Sequence, residues 1–125
     1  MTLAEWRFSA LLAWQDAFIR WTTVLAATVT LAMSVFVLLK LIPEGVRSGT
    51  VTMHYSIYLG IDDVRSWPWL FEIPAGLMAV LLVNTAVSFG LYKSDVLAAR
   101  TFAGIALSII SIASIGSFFL VLINL

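Results

Sequence analysis

The 125-residue chain is 62% hydrophobic and only 11% charged, with seven basic residues balancing seven acidic ones, whereas soluble domains carry about a quarter of their residues as charges. Water is therefore not its main solvent, and with neither net charge nor a basic cluster it has no field to recruit nucleic acid. The absence of cysteine excludes disulfides, thiolate zinc sites and thiol catalysis together.

In chain order, residues 2–20 come first. Leu3, Trp6, Ala10, Trp14, Ala17 and Phe18 recur there at helical spacing, while Glu5, Arg7, Gln15, Asp16 and Arg20 fall largely elsewhere on the wheel. The pattern predicts an amphipathic helix lying in the membrane interface, its tryptophans at headgroup depth, as a simple anchor or as a partner-docking face. Because Glu5 and Asp16 precede the first apolar run and no basic segment opens the chain, that run is not expected to be a cleaved signal peptide.

Three runs, 21–39, 73–92 and 101–125, contain no Asp, Glu, Lys, Arg or His. Each is near the roughly 20 residues a helix needs to cross a hydrocarbon core of about 30 Å. In lipid a single run of this kind satisfies its backbone only as a helix. The expected fold is therefore all-α and membrane-embedded, a single domain over 1–125. It comprises the interfacial helix at 2–20, span one at 21–42, an outer loop at 43–72, span two at 73–92, an inner loop at 93–100 and span three at 101–125.

In the outer loop Pro43, Gly45, Ser48 and Gly49 are expected to end the first helix. Residues 50–59 then alternate, with Val51, Met53, Tyr55, Ile57 and Leu59 on one face and Thr50, Thr52, His54, Ser56 and Tyr58 on the other, which predicts a short strand. Gly60, Asp62 and Asp63 supply turn chemistry. Trp67, Pro68 and Trp69 form an interfacial aromatic cluster ahead of span two, which begins near Pro74. The inner loop is short enough to make spans two and three antiparallel neighbours.

Arg7, Arg20, Lys93 and Arg100 share one side of this topology, against Lys40, Arg47 and Arg65 on the other. The denser basic side is the one the cytoplasm retains. The expectation is a multi-pass protein of the cell membrane with a cytoplasmic amino terminus, an outward loop and a carboxyl terminus ending at the outer face.

Few side chains offer chemistry. His54, the only histidine, shares the loop with Asp62, Asp63 and Glu72. Imidazole and carboxylate oxygens are ordinary ligands for a divalent cation, so His54, Asp62 and Asp63 form a candidate metal site. The competing reading is a hydrogen bond from His54 to Asp62 across a turn at Gly60. Asn84 falls near the middle of span two, where its amide is expected to seek a partner on a neighbouring helix. Small residues mark expected helix contacts: Thr22, Ala26, Thr30 and Ser34 in span one, and Gly76, Ala79, Val83, Ala86 and Gly90 in span two. Ser108, Ser111, Ser114 and Ser117 recur every third residue, which drifts around a helix instead of lining a pore, and such hydroxyls bond their own helix backbone. No charge sits at a span centre, against a proton relay or voltage sensor. No nucleophile–base pair, phosphate-cradling glycine loop or paired histidines for zinc are visible, so no enzymatic activity and no cofactor are expected.

The run His54-Tyr55-Ser56-Ile57-Tyr58-Leu59-Gly60-Ile61-Asp62, followed by Trp67-Pro68-Trp69 and Pro74, resembles uncharacterised small three-span bacterial membrane proteins. Their loop reads approximately His-Tyr-Asn-Ile-Tyr-Phe-Gly-Ile/Val-Asp. The likeness spans residues 50–85, with Ser56 where asparagine is usual, and marks His54, Tyr55, Gly60, Asp62, Trp67 and Pro68 as the loop motif. A more distant likeness is to the family of sporulation-delaying-toxin immunity proteins, from which Thr52 departs where that family has proline and Gly60 by one position.

These readings lead to a non-enzymatic structural or interaction subunit of the bacterial envelope. Its partners would be membrane lipids and either another membrane protein or further copies of itself. An envelope sensor or immunity protein whose loop binds a cation, a peptide or a proton is the second expectation, and a small transporter subunit the third.

Overall fold

The computed structural model describes residues 1–56 and 60–125, with side chains described outside 54–63. Among the described residues are four helices, three of them long and apolar enough to cross a membrane, and a two-stranded antiparallel sheet. An integral membrane protein is the reading these three helices support.

Helix α1 (Leu3–Gln15) opens with a capping box. The Glu5 amide donates to Thr2 Oγ1 at 3.2 Å, and the Thr2 amide donates to Glu5 Oε2 at 2.7 Å, so each satisfies a backbone donor that the first turn leaves open. The expected single helix over 2–20 is in fact two. Asp16 is extended at φ −73°, ψ 118°, and its Oδ1 accepts from the amides of Phe18 and Ile19 at 2.9 and 3.3 Å. Asp16 thus ends α1 and caps α2 (Ala17–Ser48). The packed face of α1 centres on Ser9 and Ala13, with the rings of Trp6 and Trp14 set against Phe89. Ser9 and Ala13 are buried, whereas Leu3 is 75% exposed and Trp14 44%. The reason lies in α3 (Glu72–Leu91), whose last turn presents unbonded carbonyls. Ser9 Oγ donates to the open carbonyl of Phe89 at 2.6 Å, and one turn earlier in α3 Trp6 Nε1 donates to the carbonyl of Ala86 at 3.1 Å. Gly90 leaves the space the indole occupies, since a Cβ there would lie 3.0 Å from Trp6 Cδ1.

Helix α2 runs 32 residues straight through Pro43, about 48 Å at 1.5 Å per residue. The expected break at Pro43 does not occur, although an interior proline removes a hydrogen bond. The turns around it are held from outside instead. Leu41 is buried in one cluster with Val37, Val51, Leu70 and Val121, and Gly45 lies against Trp67. The helix ends at Gly49, whose φ of 81° is the left-handed conformation that favours glycine.

Strands β1 (Thr50–Ser56) and β2 (Gly60–Ser66) follow. They pair from Thr50 with Ser66 to Ser56 with Gly60, with irregularities on either side of His54. The second strand is a correction to the sequence reading, which placed Gly60, Asp62 and Asp63 in turn chemistry. Gly and Asp are poor strand formers, but the ladder to β1 overrides local preference. A short 3₁₀ helix, Trp67–Phe71, with Pro68 in its first turn, leads into α3. Asp95 caps α4 (Val96–Asn124) by accepting from the Ala98 amide at 2.9 Å. Span three therefore starts five residues before the expected position and includes Arg100.

Helices α2 and α4 run parallel at a constant offset: Ile19 clusters with Ala103, Ala26 with Ile110, and Val37 with Val121. Ala26 and Thr30, on the expected small-residue face of span one, are buried. The corresponding expectation for span two holds only at Gly90. Leu77, Leu81, Ser88 and Gly90 are its buried residues, while Gly76, Ala79, Val83 and Ala86 are exposed. Apolar volume at Leu77 and Leu81 fills this contact, and backbone proximity contributes only at Gly90. Ser108, Ser111 and Ser117 each donate to a carbonyl four residues back, as expected, whereas the buried Ser114 hydroxyl has no partner among the described residues.

Gly45 tests how tightly the hairpin is seated. A Cβ added there would lie 2.6 Å from Trp67 Cβ, so Gly45→Ala should destabilise the fold by about 1–3 kcal/mol through overpacking. Gly76→Ala, where an added Cβ meets nothing within 4 Å, should be neutral or mildly stabilising in a helix. Thermal unfolding of the detergent-solubilised variants, compared pairwise, checks both.

Candidate functional site

The polar side chains gather at the two ends of the bundle. At the hairpin end, the amide of Asn124 is paired to a strand backbone. Asn124 Oδ1 accepts from the Thr52 amide at 2.7 Å, and Asn124 Nδ2 donates to the Thr52 carbonyl at 2.9 Å and to the Leu120 carbonyl at 2.9 Å. The side chain thereby imitates a neighbouring strand at the outer edge of β1, which would otherwise offer unpaired backbone groups. This contact also puts the end of α4 on the same side as the hairpin, as the three-span topology required. Beside it Arg65 Nη1 donates to Glu72 Oε2 at 2.9 Å, and the guanidinium lies 5.5 Å from the centre of the Trp69 ring. The pair is partly exposed, 39% for Arg65 and 57% for Glu72, a setting in which ion pairs add little stability but fix geometry.

At the opposite end Asp16 is the hub. Its Oδ2 accepts from Arg100 Nε at 3.0 Å, from Arg100 Nη2 at 2.9 Å and from Tyr92 OH at 3.1 Å, while its Oδ1 caps α2. The carboxylate is 3% exposed. Burial pushes its carboxyl pKa up. The hydrogen bonds from Arg100, from the Ile19 amide and from Tyr92, with the charge of Arg100, outweigh that and hold it below the usual carboxylate value. Burial and the adjacent carboxylate raise the Tyr92 phenol. Ser9 adds a second link between α1 and the α3 terminus, accepting from the Lys93 amide at 3.0 Å.

The sequence-derived candidates divide unevenly between these ends. The strand register sets His54 opposite Asp63, not Asp62, and Tyr55 opposite Ile61. The side chains of His54, Tyr55, Gly60, Asp62 and Asp63, and with them the proposed cation site and the His54–Asp62 hydrogen bond, lie outside the described residues. Trp67 and Pro68 are described: Trp67 is half-buried against Gly45, and Pro68 stands exposed in the 3₁₀ turn. Asn84 does not bridge helices. Its Nδ2 donates to the Val80 carbonyl at 3.0 Å in its own helix, an acceptor one turn away that requires no polar partner on another span.

Asn124, Asp16 and Arg100 were not singled out as site residues by the sequence. The signal was there in part. Asp16 and Arg100 flank the starts of spans that share a side, which makes them candidates to meet, and Asn124 is a lone amide at the end of an otherwise apolar run. Comparison with protein-family models, curated proteins and solved structures found no match.

Two measurements probe the two ends. Asn124→Leu removes both bonds to Thr52 and leaves its amide without that partner, so hydrogen exchange at Thr52 should accelerate and hairpin stability fall by about 1–3 kcal/mol. Asp16 carries a depressed pKa, so its contribution is complete above the unfolded carboxyl value and is lost as pH falls through the lower folded value. The melting temperature should thus hold on descending to the ordinary carboxylate range and drop below it. In Asp16→Asn that acid-side drop should shrink, from a lower starting stability.

Proposed function

We propose that the protein is a non-enzymatic interaction subunit of a cell membrane, and that its hairpin is the surface offered to a membrane-protein partner. The observation that carries this reading is the bidentate pairing of Asn124 with Thr52. Together with the seating of Trp67 on Gly45, it makes the hairpin an extension of the bundle. A preorganised surface loses little conformational entropy when a partner binds. The orientation we favour places Arg7, Arg20, Lys93 and Arg100 on the cytoplasmic side, the hairpin outside, and α1 in the inner interface with Leu3, Phe8 and Leu11 toward lipid.

A second reading is favoured by the strand register, which brings His54 level with Asp63. Imidazole and carboxylate residues at one rung are a starting point for a cation- or proton-responsive loop in a sensor or immunity protein, in keeping with the resemblance carried by residues 54–62.

Crosslinking in the intact membrane, followed by mild detergent extraction, tests the first reading. Hairpin-positioned crosslinkers should capture one recurrent membrane protein, and Asn124→Leu should weaken that capture. Recovery of a lone monodisperse monomer would overturn it. For the second reading, fluorescence of Trp67 and Trp69 should respond to divalent cations or to pH near neutrality and lose that response in His54→Ala. A flat titration in the unmodified protein removes it.

A further inference from the structure

Helices α3 and α4 enclose a groove at the hairpin end. Its walls are Ile73, Gly76 and Val80 on α3 and Ile109 and Ala113 on α4, with Met53 of β1 closing the top. The volume is about 680 Å³, within the range of roughly 300–1,000 Å³ typical of small-molecule sites. A second hollow of about 470 Å³ shares Met53, Ile73 and Ala113 with it and continues along α4 past Gly116. Missing side chains create this space. A Cβ added to Gly76 or to Gly116 would meet no heavy atom within 4 Å.

The surroundings define what can fill it. The walls belong to two helices long and apolar enough to span a membrane, so the medium beside the groove is hydrocarbon, and an apolar furrow open to hydrocarbon takes up an acyl chain. The mouth has a different character. Arg65 and Glu72 line it as an ion pair at 2.9 Å, with the Trp69 ring 5.5 Å from the guanidinium. Tryptophan is the side chain that marks headgroup depth. A guanidinium matches phosphate by paired hydrogen bonds, and a carboxylate matches an ammonium. An anionic headgroup at Arg65 would stand beside the Glu72 carboxylate and be repelled by it, whereas a zwitterion carries a complement to each.

We propose that the groove is a binding site for one phospholipid with an ammonium-bearing zwitterionic headgroup, its acyl chain between α3 and α4, its phosphate at Arg65 and its ammonium at Glu72. The inference is independent of whether the hairpin recruits a protein partner.

The test uses the full chain reconstituted in vesicles of phosphatidylethanolamine and phosphatidylglycerol in equal amounts, extracted in mild detergent and analysed by native mass spectrometry. One phosphatidylethanolamine should remain bound per chain. Gly76→Leu fills the groove without a backbone clash and displaces about two chain methylenes, so occupancy should fall about ten-fold. Gly116→Leu, at the far hollow, should lower it less. Leu82→Phe, on the exposed outer face of α3, should leave it unchanged and controls for general lipid contact. Exchanging both charged groups in Arg65→Gln/Glu72→Gln should abolish the preference for phosphatidylethanolamine over phosphatidylglycerol. Circular dichroism and monodispersity report whether each variant folds; should Gly76→Leu not fold, Gly116→Leu and the double glutamine variant decide. The proposal is overturned if no lipid is retained, if phosphatidylglycerol is retained in preference, or if retention is the same in folded Gly76→Leu as in the parent chain. It is likewise overturned if crosslinkers at position 76 join two copies of the chain, which would make the groove a helix-docking surface.

Discussion

Inside a hydrocarbon layer every backbone amide and carbonyl must find its partner within the protein, and the rest of this structure is organised around that constraint. Helices meet it along their length but not at their ends, where four donors or four acceptors remain open. The chain puts its most deliberate polar contacts at those ends. Asp16 serves the first donors of α2, Asp95 those of α4, and Ser9 the closing carbonyls of α3. Asn124 is the same device turned on a strand, completing the edge of β1 with a side-chain amide.

Because α2 and α4 run parallel at a fixed offset, the two ends are mechanically connected. The Asp16–Arg100 pair sets the register at one end, and the cluster of Val37, Leu41, Val51, Leu70 and Val121 receives it at the other. A slip of one residue along α4 would rotate its buried face by about 100° at 3.6 residues per turn. It would also carry Asn124 away from Thr52. The long apolar contact therefore places the hairpin, and the polar contacts at the ends specify which apolar contact forms.

Span number and type were legible because hydrocarbon thickness translates directly into run length, and all but the last residue of 73–92 and of 101–125, with the whole of 21–39, lie in helices. Boundaries were less legible. Charge was taken to end a span, yet Arg100 lies inside α4 because Asp95 caps that helix five residues earlier, and α2 continues through Pro43 because the hairpin grips its last turns. The hairpin was half legible: alternation revealed β1, whereas Gly60 and Asp62–Asp63 disguised β2, whose pairing is tertiary. Asn84 was expected to reach another helix and bonded its own, since local acceptors compete well when no facing group is polar. Asn124 and Thr52 stand 72 positions apart, a distance over which single-sequence periodicity carries no information.

The hairpin and the groove also share atoms. Met53 on β1 and Arg65 on β2 both border the space between α3 and α4, so the sheet that forms the exposed surface is also one wall of the cavity. Occupancy of that cavity and position of the hairpin are then linked functions. Whatever binds the groove more tightly with the hairpin seated must stabilise the seated hairpin by the same factor, because coupling between two equilibria is reciprocal. A hairpin held only by its own ladder would be marginal in water. Here it is held by Asn124 from α4, by Gly45 from α2 and by Glu72 from α3, one contact from each membrane-length helix, which makes its orientation a readout of the packing of the whole bundle.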